Sequence, residues 1–404
     1  METLDNKKMK TSEAVLVVLG ILFISFNLRA PITAVGSIVE MIQTEYSLSN
    51  AVAGFITTIP LVVFAVVSPF VAKISAKLGH SLTMMFGLIF ILIGEFVRSY
   101  AGVVGLFAGT AIIGIGIAIG NVIIPAIIKL HFSDKVGLIT SIYTSGMCIF
   151  AAVGAGISIP LAKGMDLGWH HALSSWFILT ILTICIWLPQ VIKKKTPVAT
   201  VNQQNNEPIK KSKSIWRSGL AWWVTMFMGI QSLIFYSLVA WLPTIIVSKG
   251  LSEDFSGTMA LVFQLMAIPA TLVIPILTGK FSNQKGLVLV TCIIYITGML
   301  VFLFSTSVGG VATAVVLMAI GMGGSISLSI AFISLRSPNS KRASELSGMS
   351  QSAGYLLAAI GPTLAGAISE AEGGWISTLV LLIVLIAVLA FCGIFAGANK
   401  MVEE

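Results

Sequence analysis

The chain has 404 residues, 56% hydrophobic and only 10% charged. That excludes a water-soluble globular domain, in which about a quarter of residues carry charge, because no such fold could hide so much apolar surface. The net charge of +8 does not mark a nucleic-acid surface, since the basic residues fall between apolar runs and not on one face.

Apolar runs recur along the whole chain, each long enough for the ~20 residues of a membrane-spanning helix. They predict spans near residues 14–38, 50–72, 82–98, 102–129, 137–162, 172–192, 216–247, 257–279, 286–305, 309–334, 346–369 and 373–397. Backbone groups in a bilayer core must bond internally, so these runs form helices. They are too continuous for the alternating strands of a membrane barrel. The first run is long and lacks a small-residue cleavage site, unlike a removed signal peptide. The expected fold class is an all-α membrane protein with twelve transmembrane helices.

In chain order, the first span holds Arg29 well inside its apolar run. A charge there costs about a few kcal/mol or more unless it faces a wet cavity or a partner. Pro31, two residues on, frees a carbonyl near Asn27. Arg29 is therefore a candidate anion-attracting residue; the alternative is a structural arginine that snorkels outward. In the third span Glu95 lies three residues before Arg98, a spacing that suits an outer-edge ion pair. Glu95 is also the candidate coupling carboxylate, by a pKa raised through desolvation. Lys129, near the inner end of the fourth span, is expected to snorkel to the interface. Glycines recur in the fourth span (Gly109, Gly114, Gly116, Gly120) and the tenth (Gly321, Gly323, Gly324), where they allow close helix approach.

Residues 193–215 form the longest polar stretch, with Lys193, Lys194, Lys195, Lys210, Lys211 and Lys213, and are expected to be a flexible cytoplasmic linker. The linker divides residues 1–192 from residues 216–404, six spans on each side. With the amino terminus inside, twenty of the twenty-four Lys and Arg fall on the cytoplasmic side, so both termini are expected there. The four cysteines lie in apolar runs and are expected to be small core residues. No histidine has ligand spacing to another candidate ligand, and no nucleotide loop, zinc pair or nucleophile elbow occurs. The expectation is no metal, no cofactor and no enzyme activity.

The halves repeat at a steady offset. Ala72-Lys73-Ile74-Ser75-Ala76-Lys77-Leu78-Gly79 follows the second span, and Gly279-Lys280-Phe281-Ser282-Asn283-Gln284-Lys285-Gly286 follows the eighth. Gly79 and Gly286, Ser75 and Ser282, and Gly154 and Gly361 are each 207 apart, and Trp169 and Trp375 are 206 apart. Duplicated parallel six-helix halves around a central site are a known transporter plan.

The short basic loop resembles the major facilitator signature G-x-L-a-D-R-x-G-R-R. Lys77 and Gly79 fit it. Ala76 and, in the second copy, Asn283 stand where the family places aspartate, so a gate at Lys77, Gly79, Asn283 and Gly286 must rely on hydrogen bonds and packing. Phe26-Asn27-Leu28-Arg29-Ala30-Pro31-Ile32-Thr33, Gly120-Asn121-Val122-Ile123-Ile124-Pro125 with Lys129, and Gln351-Ser352-Ala353-Gly354-Tyr355 through Gly361-Pro362 resemble helices one, four and eleven of the cyanate permease and nitroimidazole transporter group.

The resemblance implies a major facilitator fold of two pseudo-symmetric six-helix bundles, monomeric, in the bacterial cytoplasmic membrane. It implies alternating access for a small anion such as cyanate, or a small polar nitrogen compound such as a nitroimidazole, with protons as a candidate coupling ion. Asn27, Asn121, Tyr143, Gln231, Tyr236, Gln264, Gln351 and Tyr355 lie on helices that line or flank the central cavity of that fold. Amides and phenols can bind a polar solute there or act as interhelical glue. Two alternatives stand beside this one. A proton-coupled exporter of the same fold fits poorly, because the first span offers Arg29 and no mid-depth acid. A membrane sensor would need a folded partner domain, for which linker and termini are short.

Overall fold

The computed structural model describes residues 11–48, 50–192 and 214–402, and among them there is no strand. The first six spans comprise α1 (Thr11–Asn27) with α2 (Ala30–Tyr46), then α3 (Asn50–Leu78), α4 (His80–Tyr100), α5 (Gly102–His131), α6 (Val136–Ile159), and α7 (Gly168–Ser174) with α8 (Phe177–Ile192). The last six comprise α9 (Gly219–Ser248), α10 (Glu253–Leu265) with α11 (Ile268–Thr278), then α12 (Lys285–Phe304), α13 (Val308–Leu335), α14 (Ser340–Glu372) and α15 (Ile376–Ala396). Twelve of these segments are long and apolar enough to cross a membrane. The protein is a multi-pass membrane protein of two six-helix bundles. Most of the linker expected at 193–215, together with Lys7, Lys8 and Lys10, lies outside the described residues.

Three spans differ from the sequence expectation by being broken. The first stops at Asn27 and restarts at Ala30, the sixth stops at Ser174 and restarts at Phe177, and the eighth stops at Leu265 and restarts at Ile268. The first and eighth restarts carry a proline in their first turn, Pro31 and Pro269. Proline suits that turn, where its missing N–H would have no intrahelical partner. The eleventh span starts earlier than the apolar run, because Asn339 caps α14 by accepting a hydrogen bond from the Arg342 N–H at 2.9 Å.

α5 and α13 lie innermost, and most of their side chains are buried. α8 and α15 are peripheral, with Ile178, Leu182, Val384 and Phe391 exposed as a lipid-facing surface. Close helix approach depends on glycine between α4 and α5. A Cβ on Gly94 would lie 2.7 Å from the Gly109 carbonyl oxygen, so neither bulk nor branching fits there. Contrary to the core expectation, Cys185 is exposed on α8, while Cys292 and Cys392 are buried.

Candidate functional site

Arg29 occupies the gap between α1 and α2. Because Pro31 has no N–H, the Asn27 carbonyl loses its helical donor and α1 ends there. The Thr33 hydroxyl donates back to the Arg29 carbonyl at 3.2 Å and steadies the restart. The break puts the half-buried Arg29 side chain at the centre of the molecule, where two cavities meet it.

The first cavity lies on the side of the basic loops. It gathers Arg29 from the break, Asn121 from α5, Tyr143 from α6, Gln231 and Tyr236 from α9, and Gln351 and Tyr355 from α14. The second lies on the opposite side of Arg29 and contains Gln264 from α10, with Thr33, Thr144 and Cys148. Met147, Phe235 and Ile326 border both cavities. These apolar side chains carry no sequence signal that separates them from ordinary packing.

Arg29 Nη1 donates to the Tyr236 hydroxyl at 3.4 Å. No carboxylate pairs with Arg29 among the described residues. The Tyr143 hydroxyl donates to Asn121 Oδ1 at 3.1 Å. The Tyr355 ring stands 6.4 Å from that of Tyr236 and 5.0 Å from that of Phe64 on α3. Gln231 Nε2 donates to Ser232 at 2.7 Å, while the Oε1 atoms of Gln231 and Gln351 are buried without a partner. The site therefore offers one uncompensated cation, phenolic hydroxyls and two amide oxygens awaiting donors. Arg29 and Tyr236 are 207 residues apart, the offset of the internal repeat. Cys148 and Tyr355 stand at the same offset, a signal that could have linked these positions beforehand.

Asn27 does not join this site. It is fully buried on the other side of α1, where Nδ2 donates to Thr183 Oγ1 at 2.7 Å and Oδ1 accepts from the Thr180 hydroxyl at 2.7 Å. Successive helical residues are turned by about 100°, so residues two apart face nearly opposite ways. Glu95 is also remote from the cavities, and it is not at an outer edge. It is fully buried, and its carboxyl oxygens lie 3.0 and 3.2 Å from the Thr180 hydroxyl oxygen. Arg98 is buried as well and donates to the Pro31 carbonyl at 2.5 Å instead of pairing with Glu95. Thr180 and Thr183, which tie Asn27 and Glu95 together, had no distinguishing motif.

At the basic-loop end, Gly79 takes φ of +84°, a left-handed turn that suits glycine. Lys77 borders a cleft with Lys73, Trp216, Lys341 and Arg342. In the second copy Asn283 and Gly286 are exposed, and the neighbouring Gln284 does the holding. Gln284 Nε2 donates to the Thr278 and Phe281 carbonyls, and Arg336 donates to Gln284 Oε1. Burial pushes the Arg336 guanidinium down to about 10. His80, which lies between the spans expected at 50–72 and 82–98, is buried at the start of α4, 2.6 Å from the Ser75 hydroxyl.

The sequence profile of the Major Facilitator Superfamily matches residues 17–344 and 248–400. The chain is 41% identical to the uncharacterized transporter YycB of Bacillus subtilis, over 99% of this chain and 97% of that one. It is 34% identical to the 2-nitroimidazole transporter of Escherichia coli, over 96% of this chain and 97% of that one. It is 21% identical to the cyanate transport protein CynX of Escherichia coli, over 89% and 91% of the two chains. Among solved structures, the proton:xylose symporter XylE aligns with a TM-score of 0.76 at 12% identity, over 95% of each chain. The fucose transporter FucP in its outward conformation aligns with a TM-score of 0.73 at 14% identity, over 95% of this chain and 99% of that one.

Proposed function

The chain belongs to the Major Facilitator Superfamily, and on that premise we propose that its Arg29 cavity carries a small anion or a small nitro-heterocycle by alternating access. The protein is a transporter and not an enzyme. The observation that carries the substrate class is Arg29 itself, a cation inside the protein with no carboxylate partner among the described residues. Such a charge favours a ligand that brings negative charge or strong acceptor oxygens.

The amides refine the choice. Gln231 Oε1 and Gln351 Oε1 lack partners, and unmet buried acceptors favour a ligand with N–H donors. A nitroimidazole combines nitro oxygens for Arg29 and Tyr236 with a ring N–H for a glutamine. Cyanate answers only the charge. The names of the Escherichia coli relatives support both classes, and the donor-acceptor arrangement favours the first.

Residues 1–192 and 216–404 act as the two bodies that rock about this site, joined by 193–215. The basic-loop side faces the cytoplasm with both termini, in a bacterial cytoplasmic membrane, as the Lys and Arg distribution supports. The transporter works as a monomer.

The test is thermal stability of the purified protein against nitroimidazoles, cyanate and nitrate, with Arg29→Ala and Gln231→Ala/Gln351→Ala beside the parent. A ligand that binds only the folded state stabilises by about 2.7 kcal/mol at a hundredfold excess over its Kd. Nitroimidazoles are expected to stabilise the parent, weakly the double glutamine variant, and not Arg29→Ala. Equal stabilisation of all three proteins would refute the site.

A further inference from the structure

Alternating access requires that one end of the cavity be tied shut by bonds that can be exchanged for water. Neither copy of the short basic loop carries the carboxylate that could tie it by charge, since Ala76 and Asn283 hold those places. The bonds that join the two bundles on the basic-loop side are of another kind, and three of them follow one rule.

A proline inside a helix leaves the carbonyl four residues before it without its helical donor. Pro69 in α3 frees the Ala65 carbonyl, Pro125 in α5 frees that of Asn121, and Pro275 in α11 frees that of Thr271. Each of these carbonyls accepts a hydroxyl from the opposite bundle. Ser352 of α14 donates to the Ala65 carbonyl at 2.7 Å. Ser347 of α14 donates to the Asn121 carbonyl at 3.0 Å. Thr144 of α6 shares its hydroxyl between Thr140 in its own helix, at 2.9 Å, and the Thr271 carbonyl, at 3.2 Å.

Neighbouring bonds extend the seam. Ser141 of α6 donates to the Leu272 carbonyl at 2.8 Å, and Ser334 of α13 donates to the Pro125 carbonyl at 2.9 Å. The arrangement repeats across the pseudo-symmetry, because Pro69 and Pro275 stand 206 residues apart, close to the repeat offset. The helices are near enough for such bonds because α14 is small at the crossing: a Cβ on Gly348 would lie 2.9 Å from the Ser68 carbonyl.

We propose that these proline-freed carbonyls and the hydroxyls that meet them, chiefly Ser352 with Ala65 and Ser347 with Asn121, are the gate that closes the basic-loop end of the transport path. The energetics suit a gate. In the closed state each freed carbonyl is buried and depends on the hydroxyl. In the open state water replaces the hydroxyl, so the exchange is nearly balanced. An ionic latch would instead have to desolvate charges on every cycle.

The gate is also joined to the cavity. Gln351 lies four residues after Ser347, on the same face of α14, and Asn121 supplies both the latch carbonyl and a cavity side chain. A ligand that pulls on Gln351 or Asn121 therefore pulls on the latch. The inference rests on the chain being a transporter and not on which solute it carries.

The test uses full-length protein with its four native cysteines replaced by serine and spin labels at Lys73→Cys and Lys341→Cys, exposed positions on α3 and α14. Pulsed dipolar measurements give the ratio of long-distance to short-distance populations. Ser352→Ala is expected to raise that ratio about three- to tenfold, the effect of one net hydrogen bond, and Ser347→Ala/Ser352→Ala more. Pro69→Ala restores an N–H to the Ala65 carbonyl within α3, so in that background Ser352→Ala is expected to have little effect. Ser325→Ala serves as the control: that hydroxyl is fully buried but donates to Gly321 in its own helix, at 2.7 Å. It is expected to leave the ratio unchanged. An unmoved ratio in both serine variants would overturn the gate. So would an equal shift from Ser325→Ala, or a full effect of Ser352→Ala in the Pro69→Ala background.

Discussion

Arg29 and Glu95 are ionisable side chains inside one bundle, and their surroundings give them different tasks. Arg29 meets a phenol and open space, so its charge is available to a ligand. Arg29→Ala should weaken binding of an anion or nitro compound about tenfold or more, the range for hydrogen bonds to a charged group. Arg29→Lys should recover only part of this, because an ammonium cannot offer the planar fork of a guanidinium. Isothermal titration checks both. Glu95 meets Thr180 and lies deep in the bundle, near the buried Arg98 that holds the Pro31 carbonyl. Glu95→Ala should remove the buried carboxyl that meets Thr180 and destabilise the fold by about 1–3 kcal/mol, seen as a lower melting temperature; an unchanged melting temperature would refute it.

At the scale of the helix, the break between α1 and α2 is the element that makes the site. Pro31→Ala returns an N–H to the Asn27 carbonyl and lets α1 run on through Leu28 and Arg29. The variant should be at least as stable as the parent, since a proline-imposed interruption is removed, yet bind its solute more weakly because Arg29 is turned from the cavity. Melting temperature and affinity moving in opposite directions would support this; a parallel loss of both would refute it. The start of α14 is a contrasting case. Asn339→Ala removes a helix cap and should cost about 1 kcal/mol of stability with solute affinity unchanged.

Across the whole molecule, the seam of hydroxyls and freed carbonyls ties α14 to α3 and α5, and α6 to α11. Rocking predicts that the two ends of the path move in opposition. Spin labels at Thr44→Cys on α2 and Ser248→Cys on α9, at the end away from the basic loops, should come closer in the serine variants as the 73–341 pair separates. Lengthening at both ends together would mean loosening of the bundles and not alternation.

The number of spans, their two-fold repeat and the special standing of Arg29 were legible in the sequence. Apolar length, charge placement and a buried arginine beside Pro31 are local properties that a bilayer constrains strongly. The amides and phenols of the spans stood out too, because such residues are rare in such helices. Which way each side chain faces was not. Asn27 and Arg29 are near neighbours in sequence, yet one bonds Thr180 and Thr183 inside its bundle and the other meets a cavity. Asn283 holds the aspartate place of the loop pattern, but Gln284 beside it bonds Arg336. The serines of α14 looked like ordinary polar residues until Pro69 and Pro125, more than two hundred residues earlier, were brought against them. The sequence shows which runs are long enough to span a bilayer and which carbonyls lose their donors. Only the packed structure decides which distant hydroxyl reaches each carbonyl, because that depends on helix rotation and crossing, which chain-local rules do not set.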